Sequence, residues 1–404
     1  MPVPPAPSAL SHGLYVHVPF CARKCSYCAF YSEASDGDTI QRYVNALLRE
    51  MELAADAPHP GTIFFGGGTP TLLSLQQWSA ITSAMHRLQL APAPEWTVEC
   101  NPATLSADKA RLLRDAGVNR VSMGVQSLDE ALLDRLGRVH SRDMVFRSFD
   151  ILRKAGFDNL NLDLMFAIPG QSLDTWNRTL DEALAMGSEH LSTYEVIYED
   201  DTPLFHQLQA GEFDVDEDLA CAMYDAFVDR VTAAGFVQYE VANFARDGRT
   251  PAETAAPQNL PPATFNLQPP AFACRHNINY WRGGDFEGLG PSATSYLRGV
   301  RSKNISNTQL YCAQIEAGRR PVESREELAP LARAGETAAF GLRMVGGWPF
   351  EDFRSITGHD LRREWSDAMQ DLARRGWGRI DPDRFRLTRE GLRFADAAAE
   401  MFLR

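Results

Sequence analysis

Between residues 14 and 200, short β-type runs alternate with amphipathic stretches, and this alternation constrains the fold more than any other feature of the chain. Strands separated by crossover helices assemble into a parallel sheet covered by those helices. Six such strands are predicted, at Leu14 to Val18, Thr62 to Phe65, Glu95 to Glu99, Asn119 to Val125, Asn159 to Phe166 and Leu191 to Val196. Helical spacing predicts helices near 39–53, 75–88, 106–116, 143–156 and 173–186, and one more over 217–234. The expected fold class is α/β: a partial (β/α)6 barrel of TIM type followed by a smaller, winged-helix-like α+β domain. Parallel barrels gather their chemistry at the carboxyl ends of strands, so the loops after each run are the places to search.

The chain divides on this reading into a flexible N-terminus at 1–13, a barrel domain at 14–245, an insertion at 246–270, a connector at 271–320 and a C-terminal domain at 321–404. The insertion holds six prolines among Ala, Asn, Thr and Gln, a composition expected to be disordered. The C-terminal run GRIDPDRFRLTREGLRFADAAAEMF suggests a short β-ribbon and a closing helix. Winged-helix-like domains often bind DNA, but the net charge of −13 argues against a nucleic-acid partner and for a structural or docking role. No apolar run is long enough to span a bilayer and the first residues lack a secretory pattern, so a cytoplasmic location is expected. Seven cysteines, three of them within eight positions, point to metal ligation in a reducing compartment rather than to disulfides.

Those three are Cys21, Cys25 and Cys28, spaced CxxxCxxC in the loop that leaves the first strand. A structural zinc site takes four protein ligands, whereas a 4Fe-4S cluster held by three thiolates keeps one iron open. An open iron can chelate the amino and carboxylate groups of S-adenosylmethionine, and one electron then releases methionine and a 5'-deoxyadenosyl radical. Arg23 and Lys24 lie between the ligands and are placed to offset the thiolates. The alternative is a zinc site completed by His17 or Cys100.

The second strand ends in Phe65-Gly66-Gly67-Gly68-Thr69-Pro70, where glycines allow close backbone approach and expose N–H donors; one crossover after the cysteine triplet, this turn is a natural site for the methionine amino group of the cofactor. Glu99 closes the third strand and is placed for a ribose hydroxyl or the sulfonium region. Ser122 to Ser127 end the fourth strand, Leu136-Gly137-Arg138 follow, and the fifth carries Asn161-Leu162-Asp163.

The segments VPFCARKCSYC, FGGGTP, SMGVQSLDEALLDRLGRVHS, NLDLMFAIPGQS and HNINYW resemble the HemN and HemW group of radical S-adenosylmethionine proteins. That group comprises the oxygen-independent coproporphyrinogen III oxidases and their heme-chaperone relatives. The resemblance runs from about residue 13 to the C-terminus, interrupted by the insertion. It implies that Cys21, Cys25 and Cys28 ligate the cluster and that Tyr15, Gly67, Gly68, Thr69 and Glu99 contact S-adenosylmethionine. Tyr27, Gln126, Arg138 and Asp163 match further contact positions, which in the oxidase partly serve a second cofactor molecule. The oxidase carries another cysteine two positions after the third ligand, where this chain has Phe30, and HNINYW fits the HNxxYW pattern of the chaperone branch. Ala29 departs from that branch, which commonly has Asp there.

The resemblance therefore implies a protein that carries heme, with His276 implicated in its binding, and delivers it to apo-hemoproteins such as respiratory cytochromes. A neutral imidazole is a suitable axial ligand, with Tyr280 and Trp281 able to flank a porphyrin. Cys274 is the alternative ligand, and a packed, hydrogen-bonded core histidine is the alternative role. Implied partners are heme or porphyrin, the recipient proteins, an electron donor and, through recipients in a membrane, a peripheral membrane contact. The competing function is oxidative decarboxylation of coproporphyrinogen propionates or a related radical tetrapyrrole reaction.

Overall fold

A computed structural model describes residues 12–54, 58–248 and 269–404. The predicted disorder at the N-terminus and in the proline-rich insertion falls almost wholly outside the described residues.

The six expected strands are all present: β1 (Gly13–Val18), β2 (Thr62–Gly67), β3 (Glu95–Cys100), β4 (Arg120–Gln126), β5 (Leu160–Phe166) and β6 (His190–Glu195). They lie side by side in sequence order, every neighbouring pair parallel. Helices α1 (Gly37–Ala54), α2 (Leu75–Arg87), α3 (Ala107–Asp115), α4 (Glu130–Arg135), α5 (Arg142–Lys154) and α6 (Leu173–Ala185) fill the connections. α7 (Pro203–Gln209) and α8 (Glu217–Ala233) follow β6. Local chemistry fixes their starts: Ser74 and Gln77 form a reciprocal capping box at α2, and Ser106, Ser172 and Asp216 cap α3, α6 and α8.

The strands are two-faced. Val16, Val18, Ile63, Phe65, Val98, Val121, Met123, Leu160, Leu162 and Leu191 point outward into a core shared with the helices. Trp78, Trp96 and Trp176 are fully buried in that layer, where each large side chain contributes roughly 1.5–3 kcal/mol of burial. The alternate residues face the barrel lumen, and from β3 to β6 they are Thr97, Glu99, Arg120, Ser122, Asn161, Asp163, Ser192 and Tyr194. Closed parallel barrels fill this space with branched aliphatic side chains. A lumen lined this way is built to hold a ligand.

The sheet continues at both sides. β7 (Phe236–Gln238) and β8 (Asn243–Arg246) are antiparallel strands next to β6. On the far side β9 (Phe286–Leu289) pairs parallel with β1, followed by antiparallel β10 (Thr294–Leu297), β11 (Val300–Asn304) and β12 (Val322–Glu327). The order is β12-β11-β10-β9-β1-β2-β3-β4-β5-β6-β8-β7. Residues 271–320, expected as a connector, thus supply three strands of the main sheet. The charge-rich chain there gave no apolar period, because β10 and β11 are only partly buried.

A second core gathers Ala334, Leu342, Trp348, Phe353, Trp365, Leu372, Phe385 and Phe402. Its three short strands, β13 (Trp348–Pro349), β14 (Gly378–Ile380) and β15 (Arg384–Leu387), run in the order β13-β15-β14 among helices. The β-ribbon and closing helix expected at the C-terminus are β14, β15 and the Arg389–Arg393 and Ala395–Glu400 turns of helix.

Candidate functional site

The cysteine loop hangs from the carboxyl end of β1 and is tied down on both sides. Cys21 N–H donates to Glu33 O (3.0 Å), Ser26 N–H to Leu136 O (2.9 Å), and Leu204 N–H to Ser26 O (2.9 Å). All three thiols are partly exposed. Two of them receive a hydrogen bond from a distant loop: Thr69 Oγ1, in the turn after β2, reaches Cys21 Sγ at 3.6 Å, and Arg138 Nη1, in the loop after α4, reaches Cys25 Sγ at 3.5 Å. Arg23 and Lys24 are exposed to solvent, and Lys24 acts through space on the Cys28 thiol, favouring its thiolate as expected. The half-buried Arg138 guanidinium adds to that role at Cys25, held in place by Gly124 O at 2.6 Å.

The glycine turn works differently from its expected role. Gly67 N–H donates to Glu99 Oε2 (3.2 Å) and Gly68 N–H to Val18 O (2.8 Å), so these two donors are engaged within the protein. Gly67 adopts φ +100°, and a Cβ on Gly68 would lie 2.7 Å from the carbonyls of Val18 and Phe20. Glycine is required here because the β2 turn packs directly beneath the cysteine loop.

Glu99 and Asp163 face each other across the mouth. Burial, reinforced by Asp163, pushes Glu99 up to about 8, so it holds a proton at neutral pH and can donate as well as accept. Asp163 is also raised by burial, while Ser122 Oγ (2.9 Å) and Asn161 Nδ2 (2.8 Å) donate to it and pull it back. Tyr15 Oη pairs with His17 Nδ1 at 2.9 Å, and His17 Nε2 with Tyr31 O at 2.8 Å. Gln126 sits at a β-bulge between β4 and β5 with φ 65°, a strained left-handed conformation that marks functional bends. A Cβ on Gly124 would meet Gln126 Nε2 at 3.1 Å and Arg138 Nη2 at 3.3 Å, so both side chains converge above that glycine. Burial pushes the Tyr27 phenol up, with the adjacent Arg138 opposing the shift.

Cys21, Cys25, Cys28, Tyr15, Tyr27, Gly67, Gly68, Thr69, Glu99, Gln126, Arg138 and Asp163 thus come together at one end of the barrel. The residues fit a cluster and nucleotide: three accessible thiols with hydrogen-bond donors on two of them, and a buried, unpartnered Arg138 Nε. Among the described residues no three His, Cys, Asp or Glu side chains stand close enough to share a single metal ion. The zinc alternative also lacks its fourth ligand, since both ring nitrogens of His17 are engaged and Cys100 is buried on the outer face of β3.

His276 is elsewhere. It lies on the Arg275–Trp281 helix at the amino end of the strands, 1% exposed, with Nδ1 on Thr62 Oγ1 (2.9 Å) and Nε2 on Tyr280 Oη (2.7 Å). Its ring stacks on Phe64 at 5.2 Å, and burial holds its pKa down to about 3. Both ring nitrogens are thus engaged within the protein, the arrangement of a packed, hydrogen-bonded histidine. Cys274 is fully buried, its thiol pushed up to about 12 by burial. The helix is anchored by Glu95, whose carboxylate accepts from the N–H groups of Arg275 (2.8 Å) and His276 (2.9 Å).

Sequence reasoning missed the inner lumen: Arg120, His190, Tyr194 and Tyr239. The available signal was the polar alternation Arg120, Ser122 on β4 and Asn161, Asp163 on β5.

Residues 15–183 match the Radical SAM superfamily and residues 328–394 the HemN C-terminal domain. Heme chaperone HemW of Bacillus subtilis is 33% identical over 369 residues, covering 90% of this chain and 91% of that one. Heme chaperone HemW of Escherichia coli is 31% identical over 400 residues, covering 96% and 97%. The Escherichia coli coproporphyrinogen III oxidase HemN, described as a radical SAM enzyme, superposes with a TM-score of 0.80 at 19% identity over 97% of this chain and 90% of that one, a likeness of fold. With sequence identity at this level along nearly its whole length, the chain belongs to the HemW family of radical SAM proteins.

Proposed function

We propose that this protein is a radical SAM heme chaperone that binds heme and delivers it to apo-hemoproteins. In this reading Cys21, Cys25 and Cys28 hold a 4Fe-4S cluster, and Tyr15, Gly67, Gly68, Thr69, Glu99, Gln126, Arg138 and Asp163, with Tyr27 beside the thiols, surround S-adenosylmethionine. The observation that carries it is the convergence of the thiol loop with Thr69 and Glu99 from the ends of β2 and β3 and with Arg138 from the loop after α4. When bound, the cluster supplies single electrons to the sulfonium cofactor.

The chain's own residues have definable tasks. Arg138 offsets thiolate charge at Cys25, Thr69 donates to Cys21, and Glu99 presents a carboxyl group to the cofactor. The relatives named heme chaperones support heme as cargo. So does Phe30, an apolar side chain 70% exposed beside the thiols where the oxidase branch carries a cysteine. An electron donor, recipient cytochromes and a peripheral membrane contact complete the reading. No helix among the described residues is long and apolar enough to cross a membrane, so such contact would be made from one side.

The test is anaerobic reconstitution followed by hemin titration and a coproporphyrinogen assay. A Soret shift that saturates at one equivalent without formation of protoporphyrinogen is expected. Absence of heme binding, or catalytic decarboxylation, ends the proposal.

A further inference from the structure

Arg120 opens β4 and points into the lumen, opposite in direction to Val121 and Met123 of the outer core. Its side chain is 2% exposed, its Nε has no partner, and its guanidinium makes no hydrogen bond or ion pair with the described protein. Glu95 and Asp163 offset its charge through space, but neither accepts a hydrogen bond from it, and a buried N–H donor without an acceptor costs free energy until something completes its shell.

The neighbours that could have done so are committed elsewhere. Glu95 caps the Arg275–Trp281 helix. Asp163 accepts from Ser122 and Asn161, and Glu99 from Gly67. Tyr239 Oη bonds His190 Nε2 at 2.8 Å and receives Cys274 N–H at 3.1 Å. His190 and His276 are kept neutral by burial and by Arg120 itself, so they add no competing cation.

A second orphan lies at the same level. Thr97, paired in register with Arg120, is fully buried with its Oγ1 unpartnered. Higher in the barrel Tyr194, with Asp163, Glu240 and Glu99 about it, is 42% exposed, so solvent reaches that level. Arg120 precedes Gly124, the floor beneath Arg138 and Gln126, by four residues, a rise of about 13 Å along the strand. A group reaching Arg120 therefore comes from a ligand that extends below the cofactor residues.

We propose that Arg120, with Thr97, forms an anion seat deep in the barrel that receives a carboxylate arm of the tetrapyrrole. The planar guanidinium matches a carboxylate in two parallel hydrogen bonds, and the Thr97 hydroxyl adds a donor. The proposal rests on the heme reading for the identity of the ligand, and on the two orphaned groups for the seat.

The test compares hemin with hemin dimethyl ester on reconstituted protein, using wild type, Arg120→Gln, Arg120→Lys and Thr97→Val, each checked for folding by circular dichroism. Arg120→Gln is expected to weaken hemin about thirty-fold and leave the ester and S-adenosylmethionine unchanged, as loss of a charge-assisted pair predicts. Arg120→Lys restores part of the loss, and Thr97→Val weakens hemin a few-fold, in keeping with one neutral donor. Undiminished hemin binding by folded Arg120→Gln overturns the seat, and weakened S-adenosylmethionine binding instead assigns the carboxylate to that cofactor and overturns it too. If wild type ignores hemin, the heme reading fails. Thermal protection by sodium propionate that disappears in Arg120→Gln then retains the seat for another carboxylate ligand, and no such protection removes both.

Discussion

The two histidines nearest the sequence motifs are both held by two hydrogen bonds, and this decides what their removal does. His276→Ala cuts Thr62 and Tyr280 loose and opens a cavity beside Phe64, an expected loss of about 2–4 kcal/mol in chemical denaturation. The folded fraction of that variant should still give the hemin Soret shift; loss of the shift with unchanged stability would restore His276 as a ligand. Arg138→Ala removes the donor on Cys25, and iron and sulfide retention after anaerobic desalting should fall several-fold while Arg138→Lys keeps part of it. The thiols themselves were legible because their spacing is local. The Arg138 contact was not, since 113 residues separate it from Cys25 and only the strand order brings them together.

The elements obeyed their periodicity where one face was apolar. β1 to β6 were readable from outward residues such as Val16, Ile63 and Leu162, and α2 from the helical spacing near 75–88. α4 and α7 were missed because six or seven residues are too few to show a helical period, and β9 to β11 because neither face is a clean apolar stripe. The β2 turn is the element most sensitive to added volume. Gly68→Ala forces a methyl against the Val18 and Phe20 carbonyls, so a loss of roughly 1–3 kcal/mol is expected, with displaced Cys21 and reduced iron content. Unchanged melting and full iron loading in that variant would show that the turn and the cysteine loop are not in contact.

At the scale of the whole molecule, Glu50 on α1 joins distant parts. It accepts from Gly290 N–H (2.7 Å), Asn304 Nδ2 (2.9 Å) and Tyr311 Oη (2.6 Å), and burial, aided by Glu287, raises it to about 7 from 4.5. Because the folded state binds this proton more tightly than the unfolded one, its contribution is complete below 4.5 and is lost as pH rises through 7. The slope reaches at most about 1.4 kcal/mol per pH unit in that window. Glu50→Gln should flatten the denaturation midpoint between pH 5 and 7.5; an unaltered profile would place the carboxylate outside this linkage. The same region sets the order of assembly on the ribosome. One side of β1, the first strand among the described residues, is matched by β9, which begins at Phe286. At roughly 5–20 residues per second the nascent chain carries that bare strand edge for on the order of 10–60 s. Release of the chain before Phe286 leaves the edge permanently unmatched, and truncated products should accumulate as aggregates while products extending past β12 stay dispersed.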